Sequence, residues 1–143
     1  MKISTKGRYA LRMLVDLAEH QSDGSISLKD IAERQKISKK YLEQIVPVFN
    51  KENILKTSRG FQGGYMLART PDKYTVGEIL RLTEGSLSPV DFSSTDAQDS
   101  SGEYAMLPVW KELDRVINSY LDSVTLQDIL DSQRERYAND YVI

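Results

Sequence analysis

The sequence predicts a mainly α fold with one small β-hairpin, closed by a long C-terminal helix. Three observations predict it. Three apolar-periodic segments follow one another between residues 4 and 53. A glycine-rich turn with a flanking arginine, Ser58-Arg59-Gly60-Phe61-Gln62-Gly63-Gly64-Tyr65, comes directly after them. A further apolar stripe runs from Val109 to Leu121, after a polar stretch rich in Ser and Asp.

The first helix is expected from Ser4 to about Gln21. Tyr9, Ala10, Met13, Leu14, Leu17 and Ala18 recur at three- and four-residue spacing, which makes one buried stripe. Ser4 or Thr5 can cap its start. Gln21 to Ser25 is a turn cluster. Ser27-Leu28-Lys29-Asp30 resembles a capping box, with Asp replacing the usual Glu or Gln. The second helix then covers about 28–35, with Leu28, Ile31 and Ala32 inward. Lys36-Ile37-Ser38 forms a turn in which Ile37 plugs the core. Ser38 caps a third helix from Lys39 to about Asn53, with Tyr41, Leu42, Ile45, Val46 and Phe49 apolar. Pro47 lacks an N–H and is expected to kink or weaken that helix.

Ile54-Leu55-Lys56-Thr57 and Tyr65-Met66-Leu67-Ala68 are short apolar runs on either side of the glycines, the pattern of a β-hairpin. Three helices followed by a protruding basic hairpin is the layout of a winged helix-turn-helix. A short helix follows, from a Thr75 cap to a Gly85 stop. Residues 86–104 read as a flexible loop. Pro108 suits a first helical position, and Val109, Trp110, Leu113, Val116, Ile117, Tyr120 and Leu121 make a stripe over three turns. Thr125 starts another short helix, and Gln133 to Ile143 reads as a loosely held polar tail. The expected organisation is a DNA-binding domain at 1–85, a loop at 86–104, a dimerisation helix and short helix at 105–130, and a tail at 131–143.

The 143 residues are 40% hydrophobic and 28% charged, as in soluble globular proteins. No run of eighteen apolar residues exists, and the N-terminus lacks a signal-peptide core, so cytoplasmic residence without membrane contact is expected. The absence of Cys excludes disulfides and thiolate metal sites. The net charge of −2 hides an asymmetry. Residues 1–70 hold 13 Lys+Arg against 7 Asp+Glu; residues 71–143 hold 6 against 14. The basic half is suited to a polyanion.

In a helix-turn-helix, the N-terminal residues of the second helix face base edges. Here these are Ser38, Lys39, Lys40, Tyr41, Glu43 and Gln44. Lysines can neutralise phosphates or bond guanine, Gln44 can bond adenine, and Glu43 can accept from a cytosine amino group. Arg59, with Gly60 beside it, sits where the hairpin narrows and can enter a minor groove. The plainer reading is a set of solvated side chains. The stripe from Val109 to Leu121 exceeds what a small winged domain needs. It either pairs with a second copy or folds back onto its own domain. The lone His20 has no companions for catalysis or metal binding, so an enzyme reading is poor.

Met1 to Ala10, Tyr41-Leu42-Glu43-Gln44, Arg59-Gly60, Gly63-Gly64-Tyr65, Val76 to Leu80, Thr83-Glu84-Gly85, Trp110 and Thr125-Leu126 together resemble the Rrf2 family of bacterial transcription regulators, over about residues 1–130. The resemblance implies a homodimeric repressor or activator on a partly palindromic double-stranded operator. It implies that the third helix reads the major groove and the wing arginine the minor groove. Iron–sulfur members carry three cysteines in the loop before the dimer helix; the matching positions are Phe92, Gln98 and Tyr104. A further ligand position falls near Leu107. No cofactor or metal site is therefore expected. The resemblance extends to a cluster-free branch that includes a repressor of cysteine metabolism and works with an O-acetylserine sulfhydrylase. Two alternatives stay open: an adaptor that docks a metabolic enzyme, and an iron–sulfur regulator that has lost its ligands.

Overall fold

A computed structural model describes residues 2–60, 63–92 and 102–141. Helices α1 (Thr5–Glu19), α2 (Leu28–Gln35) and α3 (Lys39–Lys51) precede strands β1 (Leu55–Ser58) and β2 (Gly64–Leu67). Helices α4 (Val76–Glu84), α5 (Glu103–Ser123) and α6 (Leu126–Tyr141) complete the order.

The helix starts are set by hydroxyl caps. Ser4, Ser27, Ser38 and Thr75 each accept a hydrogen bond from the backbone N–H three residues on, at 3.0–3.1 Å. These bonds satisfy donors that a helix start otherwise leaves unpaired. Thr125 and Asp128 do this reciprocally at α6: Asp128 N donates to Thr125 Oγ1 at 3.0 Å, and Thr125 N to Asp128 Oδ2 at 2.9 Å.

One core takes its side chains from α1, α2, α3, the wing and α6. Met13, Leu14, Ile31, Leu42, Ile45, Phe49 and Tyr74 are fully enclosed. Ile37 lies buried between α2 and α3, as its place in the turn predicts. A smaller cluster of Val76, Leu80 and Leu87 receives Leu121 from α5.

The hairpin is antiparallel, with Leu55 opposite Leu67 and Ser58 opposite Gly64. Ile26 adds a one-residue third strand: its N–H donates to Tyr65 O at 2.9 Å, and Tyr65 N donates to Ile26 O at 2.8 Å. A Cβ on Gly64 would lie 2.5 Å from Ile26 O, so only glycine permits this approach.

Two expectations change, the start of α5 and the extent of the last helix. Helix α3 continues through Pro47, which is exposed. The proline's missing N–H leaves a carbonyl free on the solvent side, where water can bond it. Helix α5 begins at Glu103, with Gly102 in the left-handed conformation before it, so Pro108 lies inside the helix rather than at its start. The segment read as a polar tail is helical through Tyr141. It holds no Gly or Pro and several good helix formers, so nothing stops α6 once it has started. Leu126 and Leu130 of α6 are buried, and Leu126 joins the main core, so the C-terminal segment packs on the N-terminal helices. Residues 93–101 of the predicted loop at 86–104, including Gln98, lie outside the described residues.

Candidate nucleic-acid interface

The candidate surface is built on the first turns of α3. The Ser38 cap fixes the start of the helix, and Leu42, Ile45, Val46 and Phe49 anchor its inner face. Helical periodicity then turns Lys39, Lys40, Glu43 and Gln44 outward, and all four are exposed. Tyr41 is half-buried: its ring meets Tyr9 edge-on at 5.3 Å, which fastens α3 to α1.

The wing rises beside this helix. Arg59 and Gly60 are exposed at its tip, and Gly60 takes φ +113°. Gly63 N donates to Gly60 O at 3.0 Å and closes the turn. Phe61 and Gln62 of the predicted turn lie outside the described residues.

A cleft of about 390 Å³ separates helix from wing. Ser27 and Leu28 at the start of α2, Lys39 and Glu43 of α3, and Thr57, Ser58 and Gly60 of the wing line it. The structure thus brings Lys39, Glu43 and Gly60 to one concavity, with Ser38, Lys40, Gln44 and Arg59 exposed nearby in the chain. The sequence reading missed the hydroxyls of Ser27, Thr57 and Ser58. Their signal was available: hydroxyls at a helix cap and along β1.

Among the described residues, no ion pair neutralises Lys39, Lys40 or Arg59. Other cations of the basic half are spent internally. Arg34 donates to the fully buried Asp16 from Nε at 3.0 Å and Nη2 at 2.7 Å, and Gln35 Nε2 donates to the same carboxylate at 3.0 Å. The hydrogen bond to Asp16 raises the already high pKa of Arg34. Arg12 donates to the carbonyl of Gln35 and lies 5.3 Å from the Tyr9 ring centre. Arg69 pairs with Glu78 at 2.8 Å, which likewise raises its pKa, and stacks on Tyr74. The arginines on α1 and α2 hold the end of α2, and so the turn into α3, against α1.

The predicted stripe of α5 divides. Val109, Leu113, Val116 and Tyr120 are exposed, Tyr120 by 65%. Trp110, Ile117 and Leu121 are half-buried, and Leu121 packs on the cluster below α4. One edge of the stripe thus folds back onto its own domain, and the other is left uncovered among the described residues.

The Rrf2 family profile, described as an iron-dependent transcriptional regulator, matches residues 3–132. The chain belongs to the Rrf2 family. It is 39% identical to the HTH-type transcriptional regulator CymR of Bacillus subtilis over 140 residues, 96% of this chain and 97% of that one. It is 31% identical to IscR of Yersinia pseudotuberculosis over 133 residues, 93% of this chain and 81% of that one. The solved B. subtilis CymR superposes with a TM-score of 0.80 at 38% identity, covering 92% of this chain and 98% of that one. T. potens IscR superposes at 0.77 with 43% identity, covering 95% and 90%. The winged-helix fold and the role of DNA-binding transcription regulator follow from membership, and these relatives are regulators rather than enzymes.

A cysteine-ligated iron–sulfur cluster does not fit the donor set of this chain. Phe92 and Tyr104 offer no thiolate, no Cys exists elsewhere, and the one histidine has Nδ1 2.9 Å from the Asp16 carbonyl. Among the described residues no three His, Cys, Asp or Glu side chains gather as a metal site. No helix among them is long and apolar enough to cross a membrane.

Proposed function

We propose that this protein is a homodimeric, cluster-free repressor that binds a two-half-site operator, in the cytoplasm, and controls cysteine or sulfur metabolism. The observation that carries the DNA-reading part is the cleft between α3 and the wing, with Lys39 on its helix wall, the hydroxyls of Thr57 and Ser58 on its wing wall, and Arg59 exposed beside Ser58 and Gly60 in the chain. Glu43 and Gln44 read base edges in the major groove, Lys39 and Lys40 hold phosphates, and Arg59 enters the minor groove. Ser38, Tyr41 and Gly60 set the helix start, the helix position and the tip of the wing. The exposed edge of α5 supports the dimer: Val109, Leu113, Val116 and Tyr120 need an apolar cover, and a second copy supplies one by two-fold pairing. Trp110, Ile117 and Leu121 complete the seam at its inner edge. The similarity to B. subtilis CymR, described as the global cysteine regulator of that organism, supports the metabolic assignment. An O-acetylserine sulfhydrylase is the partner this assignment carries with it.

The test is a titration of duplex DNA, selected from a random pool by the protein, at several salt concentrations. Specific binding is expected to weaken steeply as salt rises, because phosphate neutralisation releases counterions. Salt-independent binding overturns the reading. The purified protein should be colourless, and its binding indifferent to iron chelation. A visible iron–sulfur absorption band overturns the cluster-free assignment.

A further inference from the structure

Helix α4 is clasped on two sides by the same device, a carboxylate seated over a glycine in the first turn of a helix. On one side Glu84 of α4 lies over Gly7 of α1; it accepts from Ser4 Oγ at 2.5 Å and from Ser4 N at 3.4 Å. On the other, Asp122 of α5 lies over Gly77 of α4, where a Cβ would overlap its Oδ1. Both carboxylates sit at the positive end of a helix dipole.

The second contact is the more elaborate. Arg81, one turn after Gly77, donates to Asp122 Oδ1 at 2.7 Å and Oδ2 at 3.0 Å, and to Asn118 Oδ1 at 2.8 Å. Asn118 Nδ2 in turn donates to the Asp114 carbonyl at 2.8 Å, and Ser88 Oγ to Asp114 Oδ1 at 2.6 Å. Both ends of the Arg81–Asp122 pair are more than a third exposed. Such a pair adds little to stability. A two-pronged guanidinium–carboxylate contact does fix direction, because the planar fork accepts one orientation.

Direction matters here because α5 is long. At 1.5 Å per residue its 21 residues span about 30 Å, so a turn of about 10° at one end moves the other by about 5 Å, more than the rise of one base pair.

We propose that Asp122, seated on Gly77 and held by Arg81, is a positioning residue for operator binding: it sets the angle between the dimer helix and the winged domain, and thereby the distance between the two recognition helices. The inference rests on the dimer reading above. Asp122 touches no DNA; it acts through α4 and, by way of Glu84 and Ser4, through α1. Gly77 is small because the carboxylate occupies the space of its side chain.

The experiment uses the full chain and a duplex selected by the wild-type protein, together with its single half-site and versions with one base pair inserted or removed between half-sites. Asp122→Asn replaces one acceptor by an amide donor facing Arg81. Gly77→Ala expels the carboxylate while favouring the helix. Both variants are expected to remain dimers by sedimentation and to bind the half-site within about twofold of wild type. Both should lose about tenfold on the full site and tolerate the altered spacers better than wild type does. Gly77→Ala should add nothing in an Asp122→Ala background, since the two act through one contact. Because the chain has no native Cys, a spin label at Glu33→Cys reports the distance between protomers; it should be narrowly distributed in wild type and broadened in both variants. A role confined to helix stability would leave spacer preference and label distance unmoved. Unchanged spacer preference in stable dimers of both variants overturns this joint and leaves the dimer reading standing. A monomeric wild type overturns both.

Discussion

Helix α3 encloses Leu42, Ile45, Val46 and Phe49 within its own chain, whereas none of the 21 residues of α5 is buried. Their sequences do not announce this difference, since both carry apolar residues at three- and four-residue spacing. The polar faces differ as well. Among the described residues, that of α3 presents cations with no ion-pair partner, while that of α5 is tied up locally, as in Arg115 with Glu112 at 2.5 Å and Arg81 of α4 with Asp122. Helix α3 is thus covered on its apolar side and open on its polar side, and α5 is the reverse. Periodicity shows that a helix has a seam. It does not show which molecule covers it.

The largest effect is expected at the buried seam of α3. Phe49→Ala is expected to cost about 3–5 kcal/mol of folding stability, because it removes a fully enclosed ring and leaves a cavity. Denaturant unfolding measures this; a loss within experimental error would mean that α3 is not the central core helix. On α5, Val116→Asp should leave the subunit folded but split the dimer, since the side chain is exposed in one chain and desolvated without a counter-charge in the pair. Sedimentation at micromolar concentration reads the outcome, and a persisting dimer would move the interface elsewhere.

The open side of α3 and the wing give the next effects. Arg59→Ala should weaken operator binding by about 1–3 kcal/mol with no change in the melting temperature. Full affinity at fixed salt would remove the wing from the interface. Lys39→Ala or Lys40→Ala should lower the salt slope by about one and affect all sequences alike, while Glu43→Ala and Gln44→Ala should change the preferred bases. Selection from a random pool distinguishes these, and unchanged preferences in both carboxylate and amide variants would exclude them from base reading.

The smallest effect concerns acid. The hydrogen bond from Arg81 lowers the pKa of Asp122 below its ordinary value. Its contribution is therefore complete above the unfolded aspartate value of about 3.9 and is lost as pH falls through the lower folded value. Between pH 5 and 8, Asp122→Asn should leave the pH profile of stability unaltered; a difference confined to that window would contradict the pairing.

Much of this fold was legible in the sequence because the determining contacts are local. Ser27, Ser38, Thr75 and Thr125 cap helices through bonds spanning three residues, and Ile37 fills its turn from the middle of the motif it stabilises. The hairpin was legible from its flanking apolar runs and glycines. The exposed side chains proposed for DNA reading follow from the same local logic: once Ser38 starts α3, periodicity points Lys39, Lys40, Glu43 and Gln44 away from the core.

What tertiary structure decided lies between residues far apart in the chain. Asp16 resembles an ordinary surface carboxylate until α2 brings Arg34 and Gln35 to it. Leu126 joins a core built mostly by residues more than fifty positions earlier. Gly77 has a reason to be glycine only because Asp122 arrives over it. Pro47 looked like an interruption and Pro108 like a helix start, yet each lies inside its helix on an exposed side, where water can meet the freed carbonyl. Local hydrogen bonds and side-chain periodicity are encoded within a few residues of where they act. Which seam meets which, and which charges are spent within the chain, depends on loop closures that no short stretch of sequence specifies.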